Sequence, residues 1–147
     1  MIPSCAGFIL FTQDLQKVVL IKTHRNVYGF PKGKRDKGKV PSDSRKKVKM
    51  NENPLVAAYR EATEETGISK EEITQIGDLF VDELSFKGNP ATRLYIGLVN
   101  ENQVVLDPID KDEIAEVKFV DLVTARTILI EKRQLVLNEA LDKLKSL

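Results

Sequence analysis

The sequence has few of the residues from which disulfide frameworks and zinc sites are built, and it has no long apolar run. Among 147 residues there is one cysteine, one histidine and no tryptophan. The lone Cys5 cannot form an internal disulfide. Cys5 and His24 together are too few to supply the Cys and His ligands of an ordinary zinc site. The sequence contains no run of about 18 apolar residues, the length that could cross a bilayer. It also shows no basic stretch followed by the apolar core of a signal peptide. We therefore expect a cytoplasmic protein without a membrane partner.

Length and composition are those of an ordinary globular domain. Hydrophobic residues make up 41% of the chain and charged residues 31%. A chain of this length can bury a substantial core, and no change of composition along it suggests a linker or a repeat. We expect one domain that spans residues 1–147.

The stretch from Pro54 to Ile68, PLVAAYREATEETGI, is the strongest local signal in the sequence. Asn53 suits an N-cap before Pro54, and Gly67 suits the left-handed residue that follows a helix. At about 100° per residue, one stripe of the predicted helix is mostly apolar and three carboxylates share an arc on its far side. The stripe holds Leu55, Ala58, Tyr59, Ala62 and Thr66, and the arc holds Glu61, Glu64 and Glu65.

Three carboxylates on one small patch repel one another, so that a divalent cation would stabilise them. Carboxylate oxygens are ligands that suit Mg²⁺ or Mn²⁺. A solvated acidic face without a metal is the alternative, and it is common on Glu-rich helices. The spacing of the surrounding residues favours the metal.

That spacing is similar to the motif known as the Nudix box. Glu52 stands seven intervening residues before Arg60, as the motif requires. The ending of the motif is reproduced by Arg60, Glu61, Glu64, Glu65, Gly67 and Ile68. The chain therefore resembles a Nudix hydrolase. One departure is that eighteen residues separate Gly33 from Glu52, where the motif has five. This difference places an insertion at about 34–51 in a surface loop, where added length is tolerable.

The resemblance implies an α/β Nudix fold, with a mixed β-sheet sandwiched between helices in an α/β/α arrangement. Alternation and apolar runs predict strands at 5–11, 17–22, 73–86, 91–99 and 117–120. Two further helices are predicted at 121–130 and 132–145. The candidate core residues of the last helix are Leu135, Leu137, Leu141 and Leu144.

The resemblance also implies hydrolysis of a phosphoanhydride bond that depends on Mg²⁺, with Mn²⁺ as the alternative. The implied metal ligands are carboxylates of the helix and a backbone carbonyl, namely Glu61, Glu64, Glu65 and Gly33. Arg60 is expected to orient Glu52 or Glu64. Glu61 is the first choice for accepting a proton, and its rival is Glu113 from the charged loop 107–113, which fits the family pattern better than Asp112.

A basic segment precedes the helix. Residues 32–49 contain nine Lys and Arg against two Asp, although the whole chain carries a net charge of only +1. A segment with this charge could bind a polyanion such as RNA. The alternative interpretation is a solvated loop without a binding function. The candidate substrate-binding cations are Lys32, Lys34, Arg45, Lys46, Lys47 and Lys49. Phe86 and Tyr95 are candidates for stacking on a base, or for the core.

Several substrates remain open at this point. The first choice is a nucleoside diphosphate linked to another moiety, in particular a dinucleoside polyphosphate. The segment YGFPKGK resembles that of decapping enzymes, so removal of an RNA 5′ cap is the alternative, with RNA as the partner. Inositol pyrophosphates are a third class of compact polyanion. A noncatalytic binding module is disfavoured because every glutamate of the box is present. The oligomeric state stays open.

Overall fold

The central strand β1, Cys5–Thr12, is buried on both of its faces. Successive side chains of a strand point to opposite sides, and here both sets are apolar. In this computed structural model, which describes residues 2–37 and 52–147, Phe8 packs in one hydrophobic cluster and Ile9 in another. A strand of this kind requires a covering layer on each side of the sheet.

The sheet is mixed, as predicted. In the described part of the chain its seven strands include the path β3-β2-β1-β6-β5, with β4 beside β1 and β7 beside β2. Strands β1 and β6 are parallel, whereas β1 pairs with β2 and with β4 in the antiparallel sense. The remaining strands are β2 Lys17–Thr23, β3 Tyr28–Gly29, β4 Lys32–Lys34, β5 Thr74–Leu84, β6 Pro90–Val99 and β7 Ile114–Asp121.

Helices cover both faces, which confirms the α/β/α arrangement. Helix α1, Pro54–Thr66, covers the face of Phe8, and α2, Leu122–Ile128, lies with α3, Glu131–Lys145, on the face of Ile9. A short 3₁₀ turn follows α1 at Lys70–Glu72. No helix within 2–37 and 52–147 is long and apolar enough to cross a membrane.

The core of α3 agrees with the prediction except at one position. Leu137 and Leu141 are buried, and Leu144 packs against the same cluster. The prediction for Leu135 is wrong, because its side chain is 62% exposed. Val136 takes its place in the core, since it falls on the same stripe as Ala140.

The ends of α1 follow the predicted caps. The Asn53 side chain accepts a hydrogen bond from the amide of Leu55 at 2.8 Å, and a cap of this kind stabilises a helix by about 1 kcal/mol. At the other end Gly67 adopts a φ of 81°, which a glycine reaches without strain, and its amide donates to the carbonyl of Thr63.

A close backbone approach places β4 beside α1. The amide of Phe8 donates to the carbonyl of Pro31 at 3.1 Å. A side chain at Gly7 would overlap that carbonyl, so the glycine admits the chain that leads into β4. The carboxylates of α1 therefore face backbone groups of β4.

Candidate active site

Helix α1 exposes its three glutamates to very different degrees. The side chain of Glu64 is 40% exposed and that of Glu61 is 12% exposed, whereas Glu65 as a whole residue is only 3% exposed. The alternative of a solvated acidic face is therefore wrong for Glu65. The reason is tertiary, because β4 covers that side of the helix and the backbone amide of Lys32 donates to Glu65 Oε1 at 2.9 Å.

The Arg60 side chain donates hydrogen bonds to three carboxylates. We call these four residues the Arg60 cluster: Arg60, Glu52, Glu61 and Glu64. Arg60 donates to both oxygens of Glu52, at 2.9 and 2.8 Å. Its Nη1 lies 2.8 Å from Glu61 Oε1 and 3.3 Å from Glu64 Oε1. Arg60 thus contacts both of the carboxylates that it was predicted to orient. These contacts raise the pKa of Arg60, and its hydrogen bonds lower the pKa of Glu52 despite partial burial.

Strand β4 supplies backbone groups to the same helix. Besides the Lys32 amide, the carbonyl of Lys34 accepts a hydrogen bond from Arg60 Nη2 at 3.0 Å. Between them, Gly33 lies against the Glu61 carboxylate so closely that any side chain at Gly33 would overlap it. Three successive residues of β4 therefore adjoin residues of α1, and Gly33 is the one that lies beside Glu61.

The loop 107–113 is joined to the carboxyl end of α1. The amides of Ile109 and Asp110 each donate to the carbonyl of Glu64 at 2.9 Å. The last carbonyls of a helix lack partners within the helix, and this loop provides them. The position of Glu113 is consequently fixed relative to the helix that carries the metal-binding candidates.

Glu113 and Glu65 line one small cavity of about 90 Å³, and two cations, Lys32 and Arg133, line it as well. Asp112 instead lines a neighbouring opening together with Glu113. Among these two acidic residues, only Glu113 therefore lines the cavity together with a carboxylate of the helix.

Two carboxyl groups of the site have raised pKa values. Burial raises the pKa of Glu65 to about 8; the hydrogen bond from the Lys32 amide opposes this, and the charges of Glu113 and Glu61 add to it. Burial also raises the pKa of Glu61, although the contact with Arg60 opposes the rise. Burial is thus the main cause at both carboxyl groups, and repulsion from neighbouring carboxylates adds to it.

The chemistry of these groups fits a divalent cation, although their present arrangement is not that of a metal site. Within the described part of the chain, no three Asp, Glu, His or Cys side chains stand ready to hold a metal ion. Glu61 and Glu64 are instead engaged by Arg60. A hard cation with oxygen ligands would offset the excess negative charge around Glu65 once those side chains turned from Arg60.

The predicted cationic contacts divide into two groups. Lys32 lines the cavity, and its Nζ lies 3.1 Å from Glu83 Oε2. The side chain of Lys34 is exposed at the end of β4. The other four, Arg45, Lys46, Lys47 and Lys49, lie outside the described residues, as does most of the insertion at 34–51.

The two aromatic candidates have different surroundings. The Tyr95 ring centroid lies 6.0 Å from that of Phe8 and 6.1 Å from that of Phe80, so Tyr95 packs with the core. Phe86 is fully exposed in the β5–β6 turn, and the Nζ of Lys132 lies 5.7 Å from its ring centroid. The core alternative is therefore wrong for Phe86 and correct for Tyr95.

Two residues of the site were not predicted. Glu83 is buried on β5 beside the cavity, and Arg133 of α3 contacts it at 2.9 Å. A signal for Glu83 was present, because it falls two residues after the buried Val81 on the inward face of a predicted strand. Arg133 carried no such signal, since it is one of several charged residues at the start of an amphipathic helix.

Solved structures of other proteins share this fold along nearly the whole chain. An Ap4A hydrolase of C. elegans in a binary complex superposes with a TM-score of 0.73 and 20% identity, covering 97% of this chain and 99% of that one. The NUDIX domain of NrtR from Shewanella oneidensis, complexed with ADP ribose, gives a TM-score of 0.65 at 18% identity, with 95% and 86% covered. A MutT NUDIX hydrolase from Burkholderia pseudomallei gives 0.62 at 20% identity, with 94% and 98% covered. No curated protein matches the sequence.

The family model of the NUDIX domain matches residues 1–138. The chain therefore belongs to the Nudix family, and the family resemblance read from Glu52, Arg60 and the glutamates of α1 is confirmed. As a Nudix hydrolase it is an enzyme that acts on phosphoanhydride bonds.

Proposed function

We propose that this Nudix hydrolase requires Mg²⁺, with Mn²⁺ as the alternative, and cleaves a nucleoside diphosphate linked to another moiety. Dinucleoside polyphosphates are the first candidate substrates. The observation that supports this most is the mixed lining of the cavity, in which the carboxylates Glu65 and Glu113 occur together with the cations Lys32 and Arg133. Carboxylates suit a metal ion, and cations suit the phosphate oxygens of the substrate.

Glu61, Glu64, Glu65 and the carbonyl of Gly33 would hold the metal. When bound, Mg²⁺ neutralises charge on the phosphoryl oxygens and lowers the pKa of the attacking water. Arg60 holds Glu52 through two hydrogen bonds, so it keeps the start of α1 and the end of β4 in register around these ligands.

In the proposed reaction, water attacks a phosphorus atom and the P–O bond of the anhydride breaks. One product gains the hydroxyl oxygen, and the other leaves as a phosphate that keeps the bridging oxygen. Glu61 accepts the proton of the water in our first assignment. Glu113 is the rival for this role. The observation that supports Glu113 is that it lines the cavity together with Glu65, whereas Glu61 does not line this cavity and is hydrogen-bonded to Arg60.

The substrate class rests on two observations of unequal weight. The likeness to an Ap4A hydrolase extends over 99% of that chain, but at 20% identity it concerns the fold. The exposed Phe86 provides a ring on which a base could stack. Both are consistent with a small nucleotide substrate that is bound by a single chain of this size.

Removal of an RNA cap is the second candidate function. The observation that favours it is the density of Lys and Arg in residues 32–49, nine in eighteen positions, which suits a longer polyanion. Inositol pyrophosphates share the high charge without the length. A cytoplasmic location and a single-domain organisation remain predictions under each of these functions.

A parallel hydrolysis assay separates these candidates. The full chain is incubated with Mg²⁺ and a diadenosine polyphosphate, capped RNA, a nucleoside triphosphate or an inositol pyrophosphate, and the products are identified by anion-exchange chromatography. Labelled water then locates the scissile bond. We expect the highest kcat/KM with the dinucleotide. A preference for capped RNA would replace the first candidate by the second, and absence of turnover with all four would contradict both.

A further inference from the structure

Glu83 is a buried carboxylate that is shared by two cations. It is 2% exposed; its Oε1 accepts a hydrogen bond from Arg133 Nε at 2.9 Å, and its Oε2 accepts one from Lys32 Nζ at 3.1 Å. We call Lys32, Glu83 and Arg133 the Glu83 cluster. Two cations on one buried carboxylate give these three residues together an excess positive charge, which suits an anionic group even though Glu65 and Glu113 line the adjoining cavity.

The guanidinium of Arg133 is held in place from several directions. Besides Glu83, it contacts the carbonyl of Tyr28, which accepts a hydrogen bond from Nη1 at 2.8 Å. A methyl group at Gly29 would lie 2.9 Å from the same Nη1, so the glycine leaves room for the guanidinium. Among the described residues, Nη2 has no hydrogen-bond partner, and it is not a buried atom. One edge of a fixed guanidinium therefore remains free to donate.

Lys32 connects this cluster to the metal-binding candidates. Its backbone amide donates to Glu65 Oε1 while its side chain contacts Glu83, so the two carboxylates are joined through one residue. Arg133 and Lys32 also line the cavity of about 90 Å³ that contains Glu65 and Glu113. Pockets for whole small molecules have volumes of roughly 300–1,000 Å³. This cavity accordingly suits a phosphate group and is too small for a nucleoside.

We propose that Arg133 binds non-bridging phosphate oxygens of the substrate and that Glu83 is the positioning residue that holds Arg133 and Lys32 for this purpose. The proposal rests on the proposed function, because it assigns a phosphate-binding subsite to the same cavity. Arg133 is suited to the role because a guanidinium with a free edge recognises phosphate oxygens in a defined geometry. A purely structural ion pair is the competing explanation.

Binding in the absence of metal distinguishes the two explanations. The ligand is a methylene-bridged nucleoside diphosphate, and its dissociation constant is measured by calorimetry in EDTA for the full chain. We expect Arg133→Gln to weaken binding by at least about 10-fold, because a hydrogen bond to a charged group is lost. Arg126→Gln is the matched control, since Arg126 is exposed on α2 and its side chain hydrogen-bonds only to the Asn138 side chain among the described residues.

Glu83→Gln gives a result whose sign is informative. The substitution removes a negative charge, so that electrostatic attraction alone would make an anion bind more tightly. If Glu83 positions the two cations, binding weakens instead, and KM for the substrate rises more than kcat falls. Binding by Arg133→Gln equal to that of the parent, or tighter binding by Glu83→Gln, overturns the proposal.

Gly29→Ala keeps the test decisive if Glu83→Gln does not fold. The added methyl group displaces the guanidinium without changing any charge, because the neighbouring atom is the end of a flexible side chain. Circular dichroism establishes that each variant is folded. We expect weaker binding by Gly29→Ala, and parent-like binding by this folded variant would contradict the proposal. Because no turnover is needed in EDTA, the outcome is independent of the hydrolysis assay, and hydrolysis by the parent together with unaltered binding by Arg133→Gln would overturn only this inference.

Discussion

The Arg60 cluster and the Glu83 cluster are charged groups of opposite imbalance beside the same helix. In the first, one guanidinium is shared by Glu52, Glu61 and Glu64. In the second, one carboxylate is shared by Lys32 and Arg133. The first has an excess of negative charge and the second an excess of positive charge. A metal ion would complete the one and a phosphate group the other, which is the pairing that phosphoanhydride hydrolysis requires.

The clusters also differ in how they are constructed. Most contacts of the Arg60 cluster are within one helix or between it and the residues that lead into it, so they belong to a short sequence motif. The Glu83 cluster joins β4, β5 and α3, and Glu83 is 50 residues from Arg133. A local motif can therefore reveal the first cluster, whereas only the folded chain reveals the second.

The largest effect on activity is expected from removing the charge of a proposed metal ligand on α1. Glu64→Gln or Glu65→Gln should lower kcat/KM by at least about 100-fold at saturating Mg²⁺, because each deletes a proposed metal ligand. Both replacements are close to isosteric, so the fold should persist even though Glu65 is buried. Steady-state kinetics checks this, with Glu139→Gln on the exposed face of α3 as the control. Parent-like turnover by a folded variant would remove that residue from the metal site.

A smaller effect is expected at the loop that follows α1. Glu113→Gln should lower kcat by about 10- to 100-fold with little change in KM, as expected if Glu113, the rival of Glu61, takes up the proton. Asp112→Asn is the matched control and should alter kcat by less than about twofold, because Asp112 does not line the cavity with Glu65. The opposite outcome, a damaging Asp112→Asn and a silent Glu113→Gln, would show that the alignment of this loop is one residue out.

The ionisation of Glu83 in the Glu83 cluster should be detectable in the pH dependence of the free energy of unfolding. Burial raises the pKa of Glu83, but Lys32 and Arg133 outweigh this effect and leave the pKa below its usual value of 4.5. A lowered folded-state pKa contributes stability above the unfolded value, and that contribution is lost as the pH falls below it.

Glu83→Gln should therefore lower the free energy of unfolding at neutral pH by about 3 kcal/mol, since it leaves cations without their buried partner. From about pH 5 to about pH 3 the parent should lose more stability than the variant. Denaturant titration at several pH values measures both quantities. Parallel losses in the parent and the variant would show that Glu83 does not titrate with a lowered pKa.

The smallest effect is expected from the basic segment. Changing Arg45, Lys46, Lys47 and Lys49 to Ser should reduce kcat/KM for capped RNA by about 3- to 10-fold at low salt, since exposed contacts are weak and screened. A dinucleoside polyphosphate offers no phosphates beyond the cleavage site and should be affected less. The measurement is kcat/KM for both substrates at two salt concentrations. Unchanged values throughout would leave the segment as a solvated insertion.

The sequence was sufficient for the parts of the fold that depend on local patterns. Alternation located the longer strands, and the caps at Asn53 and Gly67 located α1 within two residues of its observed end. The short strands β3 and β4 were not predicted, because two or three residues next to Pro31 and Gly33 carry no period. They form through pairing with β2 and with β1.

The candidate site was predictable in composition and less so in geometry. The residues of α1 were identified from their spacing. A helical projection cannot show that β4 covers Glu65 or that the Lys32 amide donates a hydrogen bond to it. Glu83 and Arg133 meet only through the packing of α3 against β5. For Phe86 the sequence left base stacking and a place in the core open, whereas the turn at Gly88, with a φ of 81°, places its side chain in solvent.

The central claim is that the two clusters bind different components, and a Mn²⁺ titration tests it most directly. Free Mn²⁺ is followed by electron paramagnetic resonance for the parent, for a variant with both Glu64→Gln and Glu65→Gln, and for Arg133→Gln. The account predicts that the double variant binds Mn²⁺ at least about 10-fold more weakly, while Arg133→Gln binds it as the parent does. Parent-like Mn²⁺ binding by the folded double variant would contradict it.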